Sequence, residues 1–191
     1  DPLEVKQYHQ LVDHEIDQCI DVTERLLKLS SSPPSEPELV SIPVVIRETL
    51  SLLNWEAQEL KINFSVNISD EDMRVYATDS EMRMVTLNLA QNAFHAMPKG
   101  GELTVTVTKE NAVIKIRFED NGIGITTENM SRIFDPFFSR RADGTHGTGL
   151  GLSITKTIVE NYGGTLNADS TPDSGSRFTV CLPDADSLKE G

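Results

Sequence analysis

Val5, Val12, Cys19 and Leu26 recur every seven residues, and Ile16 and Thr23 fall between them at the complementary heptad positions. That spacing predicts one long helix over residues 2 to about 29. Leu11, Ile20 and Leu27 widen its apolar seam beyond what a lone surface helix needs, so the helix wants a packing partner. The run SSSPPSEPE then forbids helix and sheet alike. It marks a linker, residues 31–39, between the helical segment 1–30 and a second domain, 40–185, with a tail at 186–191. Past the linker the periodicity changes. A short strand near Val40–Ile42 leads into a helix from about Pro43 to Gln58, with Pro43 suited to a first turn. KINFSVNIS alternates as a strand, and MRVYATD reads as its neighbour across the polar turn DED. Helical spacing returns from Ser80 to Ala96, with Asp79 or Ser80 as cap. GELTVTVTKENAVIKIRFED forms a hairpin of two long strands turning at Glu110–Asn111. A helix over 149–162 ends at Gly163–Gly164, and TLNADS with SRFTVCLP make a last strand pair. Alternating strands with grouped helices predict an α+β fold, a two-layer α/β sandwich with a mixed sheet and helices on one face, preceded by the long helix.

Composition narrows the function. The chain has 191 residues with a net charge of −13, which opposes an extended phosphate backbone and excludes nucleic acid as a partner. A small anion remains possible where basic groups or backbone amides are concentrated. Cys19 and Cys181 have neither metal-ligand nor redox spacing and read as buried free thiols in a reducing compartment. No apolar run is long enough to span a bilayer and no signal peptide opens the chain, so a cytoplasmic location is expected, with membrane contact only through regions outside it.

Four stretches carry candidate chemistry: TLNLAQNAFHAM (86–97), DNGIG (120–124), FDPFF (134–138) and GTGLGL (147–152). Asn88 and Asn92 are four apart and share one helix face, where buried amides are costly without partners. They serve either as ligands or as satisfied core or capping amides. Asp120 ends the apolar strand VIKIRF and faces a cavity, with Gly122 and Gly124 freeing the chain to turn beneath a flat ligand; the bland alternative is a plain hairpin turn. Phe134, Phe137 and Phe138 between two glycine clusters fit a hinged lid anchored by aromatic residues, roughly 139–146, better than ordinary core. Arg140 and Arg141 then offer positive charge to an anion, or form a solvated pair. Gly147, Gly149 and Gly151 lead into a helix start, whose unpaired N–H groups and positive dipole end suit a triphosphate. No Lys-Ser/Thr follows, so this is not a P-loop, and no strand carries it as in a Rossmann turn.

In order and separation these stretches resemble the N, G1, F and G2 boxes of the ATP-binding catalytic domain of sensor histidine kinases, within the Bergerat (GHKL) superfamily. IVENYGG and GSRFTVCLP resemble the same kinases, the latter their last glycine box, and the likeness covers roughly residues 40 to 183. The resemblance implies that Asn92 holds Mg²⁺ and that Asp120 accepts from the adenine amine, favouring ATP over GTP. It implies nucleotide contacts for Gly122, Gly124, Phe138, Arg140, Gly147, Thr148, Gly149, Leu150, Gly151, Leu152 and Thr179. His95 stands where many such kinases carry a lysine or arginine on phosphate, and Arg141 falls near their lid lysine; both are candidate catalytic residues. Asn88 is the third, because hydrolysing relatives carry a glutamate there that activates water, and an amide cannot take a proton. Transfer of the γ-phosphate to a protein histidine is therefore implied over hydrolysis.

VDHEIDQCIDVTERLLKLS resembles the second helix of the dimerising hairpin of these kinases, which implies a second protomer as partner and a response regulator receiver domain as the next acceptor. His14-Glu15-Ile16 only superficially imitates the phosphoacceptor box, lacking its proline and following helix, and His9 has less support. The acceptor histidine is expected outside this chain. A serine/threonine kinase of the same fold and a nucleotide-sensing interaction module stay open as alternatives.

Overall fold

The computed structural model describes residues 36–139 and 147–186. The heptad helix expected over 2–29, with His9, His14, Glu15 and Cys19, lies outside the described residues, as do Arg140, Arg141 and His146.

Among the described residues, seven strands and five helices follow one another as β1 (Glu38–Ser41), α1 (Ile42–Leu52), α2 (Asn54–Glu59), β2 (Ile62–Ile68), β3 (Arg74–Ala77), α3 (Asp79–Ala96), β4 (Gly101–Glu110), β5 (Val113–Asp120), α4 (Thr127–Met130), α5 (Gly151–Asn161), β6 (Thr165–Thr171) and β7 (Gly175–Pro183). Five strands form one mixed sheet in the order β2-β4-β5-β7-β6, with β2 parallel to β4 and the other pairs antiparallel. The two-layer sandwich expected from the alternation is the observed architecture. Leu103, Val105 and Val107 of β4, Ile114, Ile116 and Phe118 of β5, and Phe178, Val180 and Leu182 of β7 are buried on one face under the helices. Thr104, Thr106, Lys115, Arg117, Arg177 and Thr179 alternate with them on the other. Cys181 is a free thiol but half-buried rather than buried as expected, because its parity puts it on that outer face.

Three expectations are corrected. MRVYATD is not the partner of KINFSVNIS: β3 pairs antiparallel with β1 in a separate two-stranded sheet, while β2 joins β4. Alternation fixes which face of a strand is apolar but not which edge it meets. The helix expected over 43–58 breaks at Leu53, whose N–H bonds back to the Leu50 carbonyl at 3.0 Å. This tighter turn directs Leu53 and Ala57 into the core. The β4–β5 hairpin turns at Asn111–Ala112, one residue later than expected, because Glu110 already pairs with Val113 and Asn111 takes the left-handed conformation.

The helices α3 and α5 are joined at their outer ends by a polar cluster. Thr78, the residue before α3, donates its N–H to the Tyr162 hydroxyl at 3.2 Å, and its own hydroxyl donates to Glu81 at 2.6 Å. The Tyr162 hydroxyl donates to the same Glu81 carboxylate. Partial burial and that carboxylate push the Tyr162 hydroxyl above its ordinary pKa, so it stays a donor. Tyr162→Phe removes this link while keeping the ring, and is expected to cost about 1–2 kcal/mol in urea unfolding. No loss of stability would show the cluster to be idle.

Candidate nucleotide-binding site

A cavity of about 470 Å³ opens between α3, the start of α5 and the loops after β5 and β6. That size falls in the ordinary range for small-molecule sites. Asn88, Asn92 and His95 line it from α3, and Gly147, Thr148, Gly149, Gly151 and Leu152 from the segment entering α5. Gly124 and Phe138 complete the expected residues that reach it.

Asp120, expected to face the cavity, is not part of its wall: it is only 8% exposed at the last position of β5, and its strand partner Ser176 reaches the wall instead. One carboxylate oxygen, Oδ1, accepts N–H bonds from Gly122 at 2.9 Å and Ser176 at 3.3 Å. Burial raises the Asp120 pKa above the usual carboxylate range, and those two N–H bonds partly offset it. The other oxygen, Oδ2, takes part in neither of these bonds. Ser176 stands directly across from Asp120 in the β5–β7 register and is itself on the cavity wall.

Thr179 is not brought to the site. It lies three residues along β7 from Ser176, on the outward parity with Arg177 and Cys181. Parity was the missed signal: the chemically interesting hydroxyl had to share a face with Phe178 and Val180, and Ser176 does. Gln91, Thr126, Asn129 and Asp173 also line the cavity without having been singled out. Asp120, Gly122 and Leu150 do not contribute to its wall.

The glycines have a different neighbour from the one expected. A Cβ at Gly122 would lie 2.3 Å from the Ala96 carbonyl oxygen, and one at Gly124 would lie 2.1 Å from that of Thr171. One at Gly149 would lie 2.4 Å from the Phe137 carbonyl carbon. These positions let two stretches of the protein's own main chain touch, and that contact shapes the cavity. The Ile123 N–H donates to the Ala96 carbonyl at 3.0 Å, fixing the loop after β5 to the end of α3.

The aromatic run divides. Phe134 and Phe138 pack against the core and carry cations over their rings, Lys156 at 5.4 Å and Arg132 at 4.6 Å. Phe137 has positive φ and is 74% exposed. A short helix, α4, lies between the first glycine cluster and the aromatic run. The Gly147 N–H donates to the Ser139 hydroxyl at 3.0 Å, so the described ends of the expected lid segment meet.

Asn88 is committed to α5. Its carboxamide nitrogen donates to the Gly151 carbonyl at 3.3 Å and to the Thr155 hydroxyl at 3.2 Å. Among the described residues no three His, Cys, Asp or Glu side chains converge as a metal-binding set. No helix there is long and apolar enough to cross a membrane.

Carboxamides of α3 and the glycine-rich entry to α5 enclose a cavity of small-molecule size in a two-layer α/β sandwich. Residues 77–186 match the family described as "Histidine kinase-, DNA gyrase B-, and HSP90-like ATPase", and the chain belongs to that family. It is similar to the sensor histidine kinase ZraS of Klebsiella oxytoca, 34% identical over 181 residues covering 94% of this chain and 38% of that one. The chain thus spans well under half the length of that curated relative. Among solved structures it is similar to the catalytic domain of histidine kinase ThkA, with 29% identity, a TM-score of 0.70, and coverage of 78% of this chain and 96% of that one. It is also similar to ThkA in complex with the response regulator protein TrrA, with 26% identity, a TM-score of 0.76, and coverage of 98% and 53%. The chain is homologous to the ATP-binding catalytic domains of sensor histidine kinases.

Proposed function

We propose that this chain carries the catalytic part of a two-component sensor histidine kinase and transfers the γ-phosphate of ATP to a histidine imidazole. The new P–N bond forms as the bond to the ADP oxygen breaks, with attacking and leaving atoms in line, so the protein's task is positioning and charge neutralisation. The observation that carries this reading is Asn88. By the family resemblance it stands where hydrolysing relatives hold a glutamate, and in the structure it is a carboxamide whose nitrogen donates to α5. It cannot accept a proton from water, which leaves transfer to a protein acceptor as the favoured outcome.

Asp120 would hold the adenine amine through its free oxygen, with Ser176 beside it. The main-chain N–H groups at the start of α5 would face the phosphates, and His95, Arg140 and Arg141 would add charge around them. Asn92 would hold Mg²⁺ through its side-chain oxygen, and the bound ion would neutralise charge on the phosphate oxygens. A site with few carboxylates suits this ion, which keeps waters and phosphates as its other ligands. The partnership of ThkA with TrrA supports a response regulator as the next phosphate acceptor, and the likeness to sensor kinases supports a second protomer. Use of ATP would put the domain on the cytoplasmic side.

Calorimetric titration with ATP, with and without Mg²⁺, tests the metal assignment. For Asn92→Ala we expect at least about a 10-fold loss of affinity with Mg²⁺ and less than about a 2-fold change without it. An unchanged response to Mg²⁺ would remove Asn92 from the metal. Transfer is tested separately by supplying labelled ATP and a phosphoacceptor hairpin; label confined to free phosphate would point to hydrolysis.

A further inference from the structure

Thr155 has no contact with the cavity, yet it sits at the centre of the bonds that hold the cavity's phosphate end. It lies one turn into α5, is wholly buried, and is absent from the cavity wall. Its hydroxyl donates to the Gly151 carbonyl at 2.8 Å and accepts from the Asn88 carboxamide at 3.2 Å. Asn88 donates to that same carbonyl at 3.3 Å. Gly151 opens α5, and its carbonyl is the only group in this trio that belongs to the segment bearing the phosphate-facing N–H groups.

We propose that Thr155 is a positioning residue for nucleotide triphosphate binding, acting through Asn88 and Gly151 to hold the first turn of α5 against α3. This rests on the nucleotide reading of the cavity. The chemistry of the trio is directional. The Gly151 carbonyl only accepts, so both side chains must turn a donor toward it. A hydroxyl can donate to the carbonyl and accept from the amide at once, which neither a methyl nor an ammonium group can do. The same geometry explains why position 88 is an amide here: a carboxylate would face the Gly151 carbonyl with no proton to offer. The trio lies beside the entry to α5, whereas Asp120 and Ser176, assigned to the base, are joined by bonds separate from it. Loosening it should therefore affect phosphates and spare the base.

The experiment compares ATP and adenosine affinities for the whole chain, Thr155→Val and Thr155→Ser by calorimetry. Valine keeps the shape and removes the hydroxyl; serine keeps the hydroxyl and removes a methyl. For Thr155→Val we expect ATP to bind roughly 5- to 10-fold more weakly, with adenosine changed less than about 2-fold. For Thr155→Ser both affinities should stay within about 2-fold of the unaltered chain. Amide exchange at Gly151 and Leu152 should quicken in Thr155→Val but not in Thr155→Ser. Equal losses for ATP and adenosine, no loss for either, or serine behaving as valine would each overturn the proposal. Failure of the unaltered chain to bind either ligand would overturn the nucleotide reading, and the positioning role with it.

Discussion

Asp120→Asn is expected to lower ATP affinity by about 100-fold and to erase or reverse the preference for adenine over guanine. The Asp120 Oδ1 atom accepts two main-chain N–H bonds, from Gly122 and Ser176. An asparagine must keep its oxygen there, because its NH₂ would otherwise meet two donors. The amide nitrogen then takes the place of the free oxygen and points a donor at the adenine amine. A charge-assisted bond is lost and a donor–donor conflict replaces it, about 3 kcal/mol together. Guanine, which offers a carbonyl at that position, is rejected less. Competition of GTP against ATP in a fluorescence displacement assay reads this directly, and undiminished adenine preference would place the base elsewhere.

Titration of Asp120 gives the same prediction a pH dependence. Burial raises its folded pKa, so protonation of Asp120 stabilises the fold at low pH and that contribution is lost as pH rises through the raised value. Adenine requires the ionised form. ATP affinity should therefore fall as pH is lowered through the Asp120 pKa, and Asp120→Asn should flatten that limb. Relative to the unaltered chain, the variant should gain stability as pH rises toward neutral, since it carries no buried charge. Loss of binding with retained or increased stability separates a binding residue from a structural one.

The second large effect is at Gly149, the point where the loop entering α5 crosses the aromatic run. Gly149 has φ of +65°, and an added Cβ would lie within 2.7 Å of three backbone atoms of Phe137 and Phe138. Left-handed backbone costs an alanine about 1–2 kcal/mol, and main chain cannot swing aside as a flexible side chain could. Gly149→Ala is expected to push the loop out and reduce triphosphate affinity by about 100-fold or more, with adenosine bound within a few-fold of normal. Stability should fall by about 2–4 kcal/mol in thermal or urea unfolding. Retained ATP affinity would show that the phosphates do not depend on this loop.

Much of the fold was legible locally. β4 and β5 are strands because apolar residues alternate with Thr, Lys and Arg, and the hairpin between them is set by a two-residue turn at Asn111. α3 is a helix because Val85, Leu89 and Ala93 recur at helical spacing, and that spacing alone put Asn88 and Asn92 on one face. Gly147 to Leu152 lead into a helix start as their composition required. Partners were not legible. β2 lies beside β4 while β3 lies beside β1, and a strand's own alternation carries no information about which edge it joins.

The sequence by itself determined the apolar periodicities, the order of elements and the chemical types concentrated around the future cavity. Only the tertiary structure decided that Ser176 rather than Thr179 stands opposite Asp120, that the glycines make room for neighbouring main chain, and that Asn88 spends its amide on Thr155 and Gly151. Periodicity is a property of neighbours along the chain. Register, close approach and the direction of a side-chain donor depend on segments dozens of residues apart, which meet only after folding.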